Sequence, residues 1–244
     1  MSDAIPRLRM FAGPNGSGKT TVKLALDKPA KWFGIYINPD DLEKAIRETG
    51  LLSLEPFGLK ATTQQIRDYF TQSSFLQAND LATAASVIQC NGNQIDFGGL
   101  AFNSYYASVL ADFLRRQAMD AGMSFSFETV MSAPDKVELL REAQERGYRT
   151  YLYYFATVDP KINIQRVKNR LAEGGHDVPA DKIVERYHRS LALLGQALQH
   201  SNRAFLFDTS EEEAWFFAEV TDGHSIRLET GEIPQWFAPI WNDQ

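Results

Sequence analysis

The chain has 244 residues, enough for one substantial domain or a domain that carries a large insertion. Its 44% hydrophobic and 23% charged residues exclude a disordered or collagen-like chain, and no apolar run reaches the roughly 20 residues of a membrane-spanning helix. With 25 Lys+Arg against 31 Asp+Glu, the net charge of −6 argues against nucleic acid as a partner, because phosphate neutralisation usually leaves a basic surplus.

In chain order, residues 7–12 form a short apolar run that stops at a glycine-rich turn, and from Lys19 a helix runs through Val22, Leu24 and Leu26. A second apolar run, 34–37, stops at Asn38-Pro39-Asp40; a helix follows with Leu42, Ala45 and Ile46 on one face. A long helix carries Tyr106, Val109, Leu110, Phe113 and Leu114 at helical spacing, capped by Gly122, and a strand follows at 123–127. The next helix occupies about 135–146 and stops at Gly147. Residues 150–156 are apolar and aromatic on both faces, as a central parallel strand should be. Asp159-Pro160 then reads as an N-cap with proline at N1. The last long helix, about 179–200, buries Ile183, Tyr187, Leu191, Leu194 and Leu198, and 203–207 is a further strand. Strands alternating with helices predict an α/β fold with a parallel sheet and right-handed crossovers.

Two regions break this rhythm. Residues 51–102 show no clear strand, and the clusters Ile66, Tyr69, Phe70 and Leu81, Ala84, Ala85, Ile88 predict a mostly helical insertion. The tail at about 211–237 carries Asp222-Gly223 and Thr230-Gly231, which predicts a C-terminal hairpin against the sheet. The single cysteine, Cys90, cannot form an internal disulfide and suits a reducing cytoplasm, and the first eight residues lack the apolar core of a secretory signal.

The motif that carries most chemistry is Gly13-Pro14-Asn15-Gly16-Ser17-Gly18-Lys19-Thr20, followed by Thr21, between a predicted strand and a predicted helix. Its glycines let the backbone curl so that successive N–H groups converge on an anion, where the helix dipole adds positive potential. Lys19 adds a full charge for the β- and γ-phosphates, and the Thr20 hydroxyl can ligate Mg²⁺. These features predict ATP-type nucleotide binding. An LSGGQ-type signature with an Asp-Glu strand end, and an NKxD-type guanine motif, are both absent from the sequence. What remains is phosphoryl transfer, in which the protein supplies positioning and charge.

Transfer to a hydroxyl needs a carboxylate near the acceptor oxygen and cations over the moving phosphoryl group. Asp40 and Asp41 follow the second strand and fit either such a base or plain helix capping. Glu128, before Thr129, closes the 123–127 strand, where it can serve a site or stand as a solvated strand end. Asp208 fits a turn better than a site. Arg166 and Arg170 share a helix face, Glu173-Gly174-Gly175-His176 breaks that helix, and Arg186 and Arg189 sit on the next. Arginines on both arms of a glycine hinge predict a lid at about 166–189, with His176 as a further lid candidate. The same arginines also fit an ordinary solvated face.

Taken together, GPNGSGKT, Asn38-Pro39-Asp40, Phe127-Glu128-Thr129 and the run from Arg170 through Gly174-Gly175-His176-Asp177-Val178-Pro179 to Arg186-Tyr187 resemble the zeta-toxin family of P-loop kinases. The likeness is closest to the bacterial branch often labelled predicted ABC-type ATPases. It implies a single P-loop kinase domain that uses ATP and Mg²⁺ to phosphorylate UDP-N-acetylglucosamine on a sugar hydroxyl. By resemblance, Lys19 and Thr20 bind ATP and metal, Asp40 is the acceptor base, Glu128 and Thr129 hold the sugar, Arg170 is a lid arginine, and an antitoxin is a possible partner. Two departures stand out: His176 where the toxins have a second lid arginine, and Glu-Thr-Val-Met in place of a glycine-flanked Glu-Gly-Thr. Other readings are the same chemistry on a nucleoside, dinucleotide or polynucleotide end, and an ATP-hydrolysing regulatory module.

Overall fold

In a computed structural model, residues 5–26, 28–172 and 178–242 are described. In chain order the elements are β1 (Arg7–Ala12), α1 (Lys19–Ala25), α2 (Ala30–Phe33), β2 (Ile35–Ile37), α3 (Pro39–Thr49), β3 (Leu51–Ser53), α4 (Thr63–Thr71), α5 (Ser74–Gln77), β4 (Gln89–Asn91) and β5 (Gln94–Asp96). They continue with α6 (Ser104–Asp120), β6 (Phe125–Thr129), α7 (Asp135–Glu145), β7 (Arg149–Ala156), α8 (Pro160–Ala172), α9 (Ala180–Gln199), β8 (Arg203–Asp208), β9 (Trp215–Thr221), β10 (Ser225–Leu228) and α10 (Ala238–Asn242). The chain divides into two compact units, one of Met1–Trp32 with Ser126–Gln244 and one of Phe33–Phe125.

The first unit holds strands in the order β10-β9-β8-β7-β1-β6. β7 pairs in parallel with β1 on one side and β8 on the other. Its run Leu152 to Ala156 is almost fully buried, which explains the continuous apolar sequence of a strand covered on both faces. Register places Phe11, Tyr153 and Phe205 side by side, with ring centroids 4.8 and 4.9 Å apart; Phe155 and Phe207 repeat the pattern at 5.0 Å. Each such pair adds about 0.5–1.5 kcal/mol beyond its buried area. On another part of β7, the Tyr154 hydroxyl reaches Ser190 on α9 at 3.0 Å, which ties sheet to helix inside the core. β9 and β10 form the expected hairpin through the three-residue turn Asp222-Gly223-His224, with Asp222 and Gly223 both at positive φ (49° and 76°).

The structure therefore has the α/β, mostly parallel P-loop architecture that the sequence predicts. The helix from Lys19 is α1, which buries none of its residues and leaves Leu24 73% exposed. In this seven-residue helix Leu24 lies on the face opposite Val22, so the apolar residues do not form one stripe.

In the second unit, α3 packs on the long helix α6, and both start at asparagine caps. Asn38 accepts from the Asp40 N–H (3.1 Å), and Asn103 from the Tyr105 and Tyr106 N–H groups (3.0 and 3.3 Å). The 51–102 region is helical in part, through α4, α5 and two short 3₁₀ turns, but it also contains strands. β3, β5 and β4 pair into a small antiparallel sheet. These strands are three residues long, with one inward side chain each at β3 and β5 (Leu52 and Ile95), so no alternating pattern was long enough to see in the sequence. The α4–α6 packing is sealed by Tyr69, whose hydroxyl donates to Asp112 beside Arg115 and Arg116.

Candidate active site

The 13–20 loop leaves β1 and enters α1 as its sequence predicts. Two glycines are dictated by close approach. A Cβ on Gly13 (φ 147°) would lie 2.0 Å from the Phe155 carbonyl oxygen, and one on Gly16 (φ 74°) would lie 2.5 Å from that of Asn163. No other residue fits there without moving backbone.

Three neighbouring segments hold the loop. From β6, the Thr129 carbonyl accepts the Gly13 N–H at 3.2 Å. From the end of β8, the Thr209 hydroxyl is within hydrogen-bond distance of the carbonyls of Ser17 (2.9 Å) and Ala156 (3.1 Å). From α8, the fully buried Asn163 donates to the Asn15 carbonyl at 2.7 Å and accepts from the Thr157 hydroxyl. Tyr187 on α9 donates to the Thr157 carbonyl at 2.6 Å. Burial, with Asp159 and Asp208 adding to it, pushes the Tyr187 hydroxyl up to about 12, so it stays a donor throughout the neutral range. Thr157, Asn163, Tyr187 and Thr209 were not singled out as site residues from the sequence. An Asn on an otherwise amphipathic helix and a Thr just past a strand end were the available signals, and both are common without function.

The Lys19 ammonium donates to the loop carbonyls of Gly13 (2.7 Å) and Pro14 (2.9 Å), which fixes a positive charge over the loop. The Thr20 hydroxyl donates to Glu128 Oε2 at 2.8 Å, and Lys23 Nζ lies 2.9 Å from Glu128 Oε1. A backbone curl, a lysine, a hydroxyl and a carboxylate form a donor set of the kind that suits a nucleotide phosphate with a hard divalent cation.

The remaining sequence candidates divide. Thr129 accepts the Met131 N–H at 3.0 Å in a turn that leaves Met131 at φ 52°, so its hydroxyl is engaged locally. Asp208 accepts from Trp236 Nε1 (2.7 Å) and from the Ser210 N–H (2.8 Å), a turn and packing role. Arg166 donates to the Glu211 carbonyl at 3.0 Å and Arg189 pairs with Glu185 at 3.5 Å. Arg170 is exposed in the last turn of α8, and Arg186 is half-buried on α9. His176, with Gly174 and Gly175, lies outside the described residues. In the second unit, Asp40 and Asp41 are exposed in the first turn of α3. The cap there is Asn38, so neither aspartate is spent on capping by its side chain.

The sequence profile of the zeta toxin family matches residues 103–210, a stretch that contains Glu128, Thr129 and the arginines of α8 and α9. An uncharacterised protein of Haemophilus influenzae is 29% identical over 70 residues, covering 29% of this chain and 50% of that protein. Among solved structures, the AvrRxo1-ORF1:AvrRxo1-ORF2 complex, determined with sulphate ions and also with ATP, superposes with TM-score 0.54 at 17% identity. That match covers 98% of this chain and 64% of the other. A chain from the PezAT chromosomal toxin-antitoxin system of Streptococcus pneumoniae gives TM-score 0.52 at 13% identity, covering 100% of this chain and 79% of the other. This chain thus covers half of the Haemophilus influenzae protein and about two-thirds of the AvrRxo1-ORF1:AvrRxo1-ORF2 chain. In the sequence pattern of residues 103–210 and in its P-loop fold, the chain is similar to the zeta-toxin family.

Proposed function

We propose that the protein is an ATP-dependent phosphotransferase acting on a hydroxyl of a small molecule, with UDP-N-acetylglucosamine or a related sugar nucleotide as the leading acceptor. The observation that carries this reading is the loop at 13–20. It has the tight glycine approaches of a phosphate cradle, Lys19 over its carbonyls, and the Thr20–Glu128 pair at its helical end. In the proposed reaction the acceptor oxygen forms a bond to the γ-phosphorus while the bond to the β–γ bridging oxygen breaks, and ADP leaves. The hydroxyl proton passes to Asp40, an exposed carboxylate available to accept it. Thr20 would hold Mg²⁺, which neutralises charge on the phosphate oxygens when bound. Residues 13–21 bind ATP, and Arg170, with Arg166, Arg186 and Arg189, supplies lid cations. Glu128 and Thr129 belong to the acceptor side by resemblance, although Glu128's contacts with Thr20 and Lys23 favour the phosphate side. No described helix is long and apolar enough to cross a membrane, which suits a protein of the cytoplasm, and an antitoxin is a possible protein partner.

The reading is tested by a coupled ADP-release assay with UDP-sugars, nucleosides, NAD and short oligonucleotides at equal concentration. UDP-N-acetylglucosamine is expected to stimulate release and to gain one phosphoryl group by mass spectrometry. Stimulation by another class alone would discard the sugar nucleotide and keep the kinase; ADP release indifferent to every acceptor would discard the kinase.

Asp40→Asn is expected to retain ATP affinity and to lower phosphoryl transfer by about 10²-fold or more, because it removes the proton acceptor without changing shape. Single-turnover rates decide it. Damage from Asp41→Asn with Asp40→Asn silent would move the base one residue along α3.

A further inference from the structure

We propose that Lys23 is a positioning residue of the P-loop site: it fixes the Glu128 carboxylate so that the other carboxylate oxygen takes the Thr20 hydroxyl hydrogen. Thr20 and Lys23 stand three residues apart on α1 and therefore on one helix face, and Glu128 reaches them from β6. Both carboxylate oxygens are engaged, Oε2 by Thr20 at 2.8 Å and Oε1 by Lys23 at 2.9 Å. The Lys23 and Glu128 side chains are only 11% and 10% exposed, so the pair is held away from the solvent screening that makes surface pairs weak.

The consequence lies in the hydroxyl. A threonine oxygen has one hydrogen and two lone pairs. While its hydrogen points at Glu128, its lone pairs turn elsewhere, as a hydroxyl ligand to a hard cation requires. The terminal carboxylate torsion of glutamate is broad, and each anchored oxygen narrows it. Lys23, with three donors and no acceptor, clamps the far oxygen and narrows it further. The lysine would thus act on a bound cation through Glu128 and Thr20. Such outer partners typically change metal affinity by about 10- to 100-fold.

This inference rests on reading the loop as a Mg²⁺–ATP site, and the experiment separates the two. ATP affinity of the full chain is measured by calorimetry with Mg²⁺ and with EDTA, and their ratio is the Mg²⁺-dependent gain. Lys23→Met is expected to reduce that gain about 10- to 100-fold while affinity in EDTA changes little, and Lys23→Arg to retain most of it. In a Glu128→Gln background, adding Lys23→Met should change the gain by less than about 2-fold, because the two residues act as one unit. That double variant removes both members of the ion pair, so the comparison stands even where Lys23→Met alone fails to fold. A folded Lys23→Met with the wild-type gain overturns the proposal, as does a double variant much weaker than Glu128→Gln. Wild-type protein that binds ATP equally with and without Mg²⁺ overturns the role of Lys23 but not the P-loop. Wild-type protein that binds no ATP overturns both.

Discussion

Lys19→Ala is expected to abolish measurable ATP binding while leaving the circular dichroism spectrum unchanged. Its ammonium sits 2.7 and 2.9 Å from the carbonyls of Gly13 and Pro14, so it is already held over the loop before any phosphate arrives. The cost of ordering a long flexible side chain is largely met in advance, which increases what it contributes on binding. Each charge-assisted hydrogen bond lost costs about 1.5–3 kcal/mol, and a lysine that faces two phosphates makes more than one. The expected loss is therefore about 10²-fold or more in affinity. The fold should survive because α1 buries no residue and alanine is the best helix former. Calorimetry on the folded variant decides the matter: affinity equal to wild type would falsify the assignment of the 13–20 loop to phosphate binding.

Arg170→Ala is expected to cut phosphoryl transfer by about 10³-fold with little change in ground-state ATP affinity. That is the range in which arginines act when they neutralise a phosphoryl group in flight. Arg170 occupies the last turn of α8 and is exposed. The other arginines of this region are engaged differently: Arg166 donates to the Glu211 carbonyl, and Arg189 pairs with Glu185. Arg170 is the first choice because the resemblance makes it the lid arginine, and Arg186 the second. The signature to look for is a fall in kcat with the ATP dissociation constant intact, since an interaction made only in the transition state leaves the ground state alone. If Arg170→Ala transfers at the wild-type rate while Arg186→Ala does not, the catalytic cation belongs to α9.

Much of this protein was legible in the order of its residues. The strand runs at 7–12, 150–156 and 203–207 agree with β1, β7 and β8 to within one residue, because strands covered on both faces are largely apolar. The 13–20 motif was legible for a related reason. Its chemistry is written in backbone freedom, and the close approaches at Gly13 and Gly16 leave only glycine possible. The turn at Asp222-Gly223 was readable from the positive φ that such hairpins demand.

Tertiary structure alone decided the rest. The three-residue strands β3, β4 and β5 are shorter than any period that could reveal them, and they exist because they pair with one another. Thr157, Asn163, Tyr187 and Thr209 converge on the P-loop from segments far apart in sequence. A buried hydrogen bond specifies its partner in space, not along the chain. Glu128 was visible as a carboxylate at a strand end, but not its partners. Those follow from β6 lying beside β1, which brings its carboxylate to Thr20 and Lys23. Local sequence determines which side chains can do chemistry, whereas the pairing of strands distant in sequence determines which of them meet.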